Sequence, residues 1–125
     1  MKIGDYVRTK SGKIYKITDF KKYYINGKLI IEKQLVYIDN RNSCLNYEQF
    51  CKLIIKNSPN IIDLISYGDI VKYKIDDEIF ISEVWGEKND YFIQNFNFPI
   101  DLRDLDIISV LTKEQFESME YKIGD

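Results

Sequence analysis

The chain reads as a mainly β protein, a β-rich α+β fold made of two consecutive small units, each followed by a short helix. Three observations lead there. The composition favours strands: the 125 residues include no alanine and no histidine, while Ile, Lys, Asn and Tyr are abundant. Alanine is the strongest helix former, whereas Ile, Tyr, Phe and Val suit a pleated, half-buried surface. Polar and apolar residues alternate with period two across several stretches bounded by turn residues. A Gly-Asp phrase also recurs, as "KIGDYV" at the start, "SYGDIV" in the middle and "KIGD" at the end, so that three of the six glycines precede Asp. Glycine permits a sharp backbone turn, and Asp can hold one by accepting from nearby backbone N–H groups.

The first unit spans residues 1–65. After Gly4-Asp5, "YVRTKSGKIYKITDF" alternates around Ser11-Gly12 and predicts two strands and a turn. "FKKYYINGKLIIEKQLVYIDNRN" follows, and Asn26-Gly27 between apolar runs is the strongest short-range hairpin signal, here an extended one. "LIIKNSPNIIDLI" closes the unit. Ser58 is suited to cap a helix and Pro59 to begin it, with Ile61, Ile62, Leu64 and Ile65 forming a short apolar turn or two.

The second unit spans residues 66–125. "IVKYKIDDEIFISEVWGE" again alternates, with Asp76-Asp77 in place of the turn and Ile79, Ile81 and Val84 continuing the second strand. In "NDYFIQNFNFPIDL", Asn95 is the candidate turn residue and Pro99 borders a strand. In "DIISVLTKEQFESMEY", Thr112 and Gln115 form a capping-box pattern, and Phe116 and Met119 share one helical face.

Both units thus run from Gly-Asp through strand, turn and strand to an Ile-Ile strand and a short helix, an internal repeat. Fifty residues separate Gly4 from Ile54 and thirty-nine separate Gly68 from Ile107, so the first unit is longer by eleven, and the long hairpin takes the excess. A competing register matches "NYEQF" at 46–50 with "TKEQF" at 112–116 and makes 46–53 a helix capped by Asn46. The Ile-Ile register is preferred because it aligns the Gly-Asp phrases. Gly124-Asp125 falls where a third unit would begin. Strand–turn–strand units entered by Gly-Asp-aliphatic are common in SH3-like small β-barrels, so the expected architecture is two tandem SH3-like barrel or sheet units.

"KIGDYVRTKSGKIYKI", "IIKNSPNIIDLISYGD" and "LTKEQFESMEYKIGD" resemble a group of short proteins from phages and prophages of low-GC bacteria. The resemblance covers most of the chain and implies a mobile-element origin and an accessory role. Some proteins of this kind block bacterial antiviral systems, including CRISPR effectors.

Composition narrows the chemistry. Without histidine, Ser-His-Asp and Cys-His arrangements are excluded, and there is no glycine-rich phosphate loop. Cys44 and Cys51 lack His partners for a zinc site and read as reduced thiols. Asp76-Asp77-Glu78 reads as a solvated turn, and "DLRDLD" at 101–106 as a surface segment with local Arg103 pairing. No catalytic residue, metal or cofactor is expected. No run of 18 apolar residues occurs, and the charged N-terminus has no apolar leader, so the expected location is the cytoplasm of a bacterial host, without a membrane partner.

Charge is divided. Residues 1–62 carry twelve Lys/Arg against five Asp/Glu, a net of +7, whereas residues 63–125 carry six against fifteen, a net of −9. A chain so divided can pair its own halves, join a second copy as a homodimer, or meet partners of either sign. In the basic half, Arg8, Lys10, Lys13, Lys21, Lys22 and Lys28 lie among Tyr23, Tyr24 and other aromatics. That mixture suits phosphates and stacked bases. In the acidic half, "YFIQNFNFPI" places aromatics on both faces of one strand. Tyr91, Phe96 and Phe98 are therefore partner-binding candidates, while Trp85 is assigned to the core. The leading expectation is a non-enzymatic inhibitor of a bacterial antiviral defence system, acting by direct protein contact with a host defence protein. The alternative is a nucleic-acid-binding accessory protein that works through the basic unit.

Overall fold

In the computed structural model, residues 1–39, 43–88, 90–119 and 123 are described. The chain is mostly β and divides into two compact units, Met1–Leu64 and Ile65–Asp125.

The first unit contains β1 (Tyr6–Thr9), β2 (Ile14–Ile25), β3 (Lys28–Ile38), β4 (Ser43–Asn46), α1 (Tyr47–Leu53), β5 (Ile54–Ser58) and a 3-10 turn at Ile61–Leu64. Its strands form one antiparallel sheet in the order β4-β3-β2-β1-β5. Val7, Ile17, Val36, Ile38 and Phe50 form its core, with Tyr15, Phe20 and Tyr47 packed against it. Asn46 caps α1 by accepting from the Gln49 N–H at 3.1 Å. A helix here is what the competing register asked for. The short helix after Ser58 is only the 3-10 turn: Ser58 lies in β5, and its hydroxyl accepts from Asn60 N and donates to Asp63.

The second unit contains β6 (Ile70–Ile75), β7 (Glu78–Glu83), β8 (Trp85–Glu87), β9 (Asp90–Asn95), β10 (Phe98–Asp101), a 3-10 turn at Leu102–Asp104, β11 (Asp106–Leu111) and α2 (Lys113–Met119). Two antiparallel sheets result, β11-β6-β7 and β10-β9-β8. Val71, Tyr73, Val84, Ile93 and Leu102 are buried. The buried Tyr73 satisfies its hydroxyl with Ser82 at 2.7 Å and Asn95 at 3.2 Å. The capping box closes as its residues dictate: Thr112 N donates to Gln115 Oε1 at 3.1 Å, and Gln115 N to Thr112 Oγ1 at 3.4 Å.

Turn chemistry follows the sequence at two hairpins. Asn26 and Gly27 (φ 50° and 75°) and Asp76 and Asp77 (φ 49° and 67°) hold the left-handed conformations that match strand twist. The β9–β10 turn differs from expectation. It is made by Phe96 and Asn97 (φ 50° and 69°), while Asn95 remains in β9.

The two Gly-Asp entries have the same local geometry. Gly4 and Gly68 have φ of 93° and 89°. Gly4 N donates to Ile17 O at 2.8 Å and Gly68 N to Val84 O at 3.0 Å. Asp5 N and Asp69 N donate three residues back, to Lys2 O and Ser66 O, both at 3.1 Å. Their carboxylates accept in return from Lys2 N at 2.9 Å and Ser66 N at 2.8 Å. Their carbonyls receive Ile17 N and Val84 N, both at 2.8 Å. Gly124-Asp125 lies outside the described residues.

The sheets are open. Among the described residues no closed barrel forms, so the expected barrels are replaced by one five-stranded and two three-stranded sheets.

Candidate functional site

Among the described residues of the first unit, exposed large apolar side chains gather on the outer half of the β2–β3 hairpin. Every residue from Lys21 to Glu32 is exposed. Six of them are large and apolar: Tyr23, Tyr24, Ile25, Leu29, Ile30 and Ile31 keep between 38% and 54% of their surface open. The sequence explains this. "YYI" and "LII" flank Asn26-Gly27 without alternation, so both faces of the paired strands are apolar and neither can be assigned wholly to a core. Register shifts beside Tyr23 interrupt the ladder and increase local twist. Tyr23 sits opposite Ile31, and Tyr24 opposite Leu29.

The arm is firmly rooted. Lys33 Nζ lies 4.6 Å from the Phe20 ring centre and 5.5 Å from that of Tyr47, and donates to Met1 O at 3.0 Å. Phe20 and Tyr47 meet edge to face at 5.8 Å. Tyr47 also bonds Cys51 one helical turn on, which pushes its hydroxyl pKa up. A shallow cleft of about 430 Å³ opens at the root beside Asp19, Phe20, Lys21 and Tyr37.

The residues singled out from sequence are thus sorted. Lys21, Lys22, Tyr23, Tyr24 and Lys28 come together on the arm. Lys22 is partly neutralised there by Glu32 at 3.3 Å. Lys10 and Lys13 are exposed at the β1–β2 turn, where backbone bonds run from Lys10 N to Leu53 O and from Thr9 N to Lys13 O. Arg8 is the correction: it is 2% exposed, and its Nη1 donates to Leu64 O at 2.8 Å. A guanidinium held inside the first unit is unavailable to a partner at the surface. In the second unit Tyr91 is half-buried, while Phe96 and Phe98 are 78% and 72% exposed. Phe96 meets Phe80 edge to face at 6.1 Å, and Phe80 stacks on Tyr73. A bulky side chain at positive φ on a hairpin tip is uncommon and marks a position held against local preference. Trp85, expected in the core, is 42% exposed and packs edge to face on Tyr67 at 5.8 Å.

Sequence reasoning missed Ile25, Leu29, Ile30 and Ile31 as site residues, although the unbroken apolar runs around Asn26-Gly27 carried the signal. Among the described residues, no cluster of three His, Cys, Asp or Glu side chains is placed to hold a metal ion, and no helix is long and apolar enough to cross a membrane. Comparison with protein-family models, curated proteins and solved structures found no match to this chain.

Proposed function

We propose that this is a non-enzymatic binding protein whose β2–β3 arm grips a protein partner. The carrying observation is the arm itself: six large apolar side chains exposed on one rooted hairpin. Contiguous exposed apolar surface of this kind marks interaction sites, and tyrosines contribute large contact area at low entropy cost. The phage and prophage resemblance supplies the partner class, a host antiviral defence protein inhibited by direct contact in the bacterial cytoplasm, in the manner of anti-CRISPR proteins. Expression in hosts that each carry one defence system tests this. Immunity to phage should fall in one of them, with a stoichiometric complex formed between the purified chain and a component of that system. Tyr24→Ser with Ile30→Ser should abolish both effects. Lost immunity without physical association would overturn the reading.

A nucleic-acid reading is favoured by the exposed Lys21 and Lys28, which share the arm with Tyr23 and Tyr24, and by the exposed Lys10 and Lys13 at the β1–β2 turn. It requires salt-sensitive binding to single- or double-stranded DNA or RNA that weakens when Lys21, Lys22 and Lys28 become Glu. The burial of Arg8 and the Lys22–Glu32 pair count against it.

The scaffold reading is a tandem pair of open SH3-like sheets. It is supported by the order β4-β3-β2-β1-β5, with a helix before the last strand, and by β11-β6-β7, with a 3-10 turn before β11. The registers agree as well. Thr9 pairs with Ile54 and Tyr73 with Ile107, each beside an irregularity, and the two pairs differ by the eleven residues that the long hairpin adds.

A further inference from the structure

The second unit contains a cleft of its own. It measures about 460 Å³ and has Tyr67 and Phe116 as aromatic walls, with Ile70 beside them. Both rings are open, at 50% and 46% exposure. Glu83, Glu117 and Lys113 also line it. Both glutamates are exposed, and among the described residues neither is in an ion pair. The Gly-Asp entry builds the cleft. A Cβ on Gly68 would lie 3.0 Å from Lys113 Cδ, so the missing side chain lets the lysine stem rest against the backbone. Asp69, fully buried, accepts from Lys113 N at 2.8 Å and so fixes the start of α2, which carries Phe116 and Glu117.

We infer that this cleft receives a lysine or arginine side chain from a partner protein. Aromatic faces attract a cation through the ring quadrupole while accepting its methylene stem. Among the described lining residues, two carboxylates stand against one ammonium, a net negative charge that selects a cation over an anion or a neutral chain. The surrounding unit has the same sign, with a net of −9 over residues 63–125. The site is independent of the arm, so the two stand or fall separately.

The single tryptophan supplies the probe, because Trp85 packs on Tyr67 of the cleft wall. Nα-acetyl-lysine methylamide, the arginine analogue and the neutral norleucine analogue are titrated against the full chain at constant ionic strength, with Trp85 fluorescence recorded. Saturable responses are expected for both cations and not for norleucine, and they should weaken as salt is raised. Glu83→Gln with Glu117→Gln should remove the response, and Phe116→Ser should weaken it about threefold. Unchanged near-ultraviolet dichroism establishes that these variants fold. Tyr24→Ser on the arm should leave the response intact. Equal responses to cations and norleucine, or a wild-type response from the double glutamine variant, would overturn the assignment.

Discussion

The two Gly-Asp entries have matching backbone hydrogen bonds, yet the units fasten their helical turns in opposite ways. In the first unit the fastener is Arg8, whose buried guanidinium donates to Leu64 O at the end of the 3-10 turn Ile61–Leu64. In the second it is Asp69, whose buried carboxylate accepts from Lys113 N at the start of α2. The start of a helical turn leaves N–H groups without partners, and its end leaves carbonyls. An anion therefore docks the first end and a cation the second. One backbone device thus serves two packings, and the charge of one buried side chain sets which end of the turn is held. Lys72, four residues after Gly68 as Arg8 is four after Gly4, is exposed.

The largest effect is expected from Arg8→Met, which keeps the apolar stem and leaves Leu64 O without this donor. A hydrogen bond from a charged group is involved, so the loss should be about 3 kcal/mol. The first unit has no tryptophan, whereas Trp85 reports the second. The denaturation midpoint followed by far-ultraviolet dichroism should fall, and the Trp85 transition should fall less. An unchanged dichroism midpoint would show that Arg8 fastens nothing.

Asp69→Ala comes next. It leaves Ser66 N and Lys113 N without their acceptor, at a cost of about 2 kcal/mol read through Trp85. Asp5→Ala removes the acceptor of Lys2 N and should cost about 1 kcal/mol. Equal losses at the two aspartates would erase the contrast between the units.

This contrast was only half legible in the sequence. The Gly-Asp phrases, the Asn26-Gly27 and Asp76-Asp77 turns and the Thr112–Gln115 box each depend on a few neighbouring residues, and each was readable. The Ile-Ile strands β5 and β11 were placed by their order relative to the short helices. The fate of Arg8 was not readable, because its acceptor lies 56 residues away and alternation alone puts a charged residue on the surface. Ile79 and Ile81 show the converse. They pair with Lys74 and Lys72, and their exposure of 59% and 66% is set by that register rather than by their hydrophobicity. On the arm, period-two reasoning had no face to choose, since both faces are apolar.

A smaller effect separates the glycines themselves. Gly4→Ala and Gly68→Ala each force a side chain to positive φ, at about 1 kcal/mol. A Cβ at position 4 meets nothing within 4 Å, whereas at position 68 it reaches Lys113. Displacing that flexible stem should add about 0.5 kcal/mol. In a Lys113→Ala background the two glycine substitutions should cost the same, and a persistent difference would place its cause elsewhere.

The smallest expected effect concerns the caps ahead of the closing strands. The first unit uses a neutral cap, Asn46, before α1. The second uses Asp101 before its 3-10 turn, where the carboxylate accepts from Arg103 N, Nε and Nη2 at 2.9, 3.0 and 2.7 Å. These bonds lower the Asp101 pKa to about 2, with the Arg103 side chain the first cause. An unfolded aspartate titrates near ~3.9. The folded state therefore binds fewer protons between those values. The stabilisation is complete above about pH 4 and is lost as pH falls toward about 2. Arg103 is two-thirds exposed, so water screens the pair and its contribution should be smaller than that of the buried bonds made by Arg8 and Asp69. Acid denaturation followed by Trp85 should show this slope in the wild-type chain, and Asp101→Asn should flatten it. Asn46→Asp should add a corresponding acid slope to the first unit, read by dichroism, because an ionised cap at a helix start is favoured over a protonated one. If Asp101→Asn leaves the Trp85 profile unchanged, the charged cap contributes no more than its neutral counterpart, and the difference between the units reduces to Arg8 and Asp69.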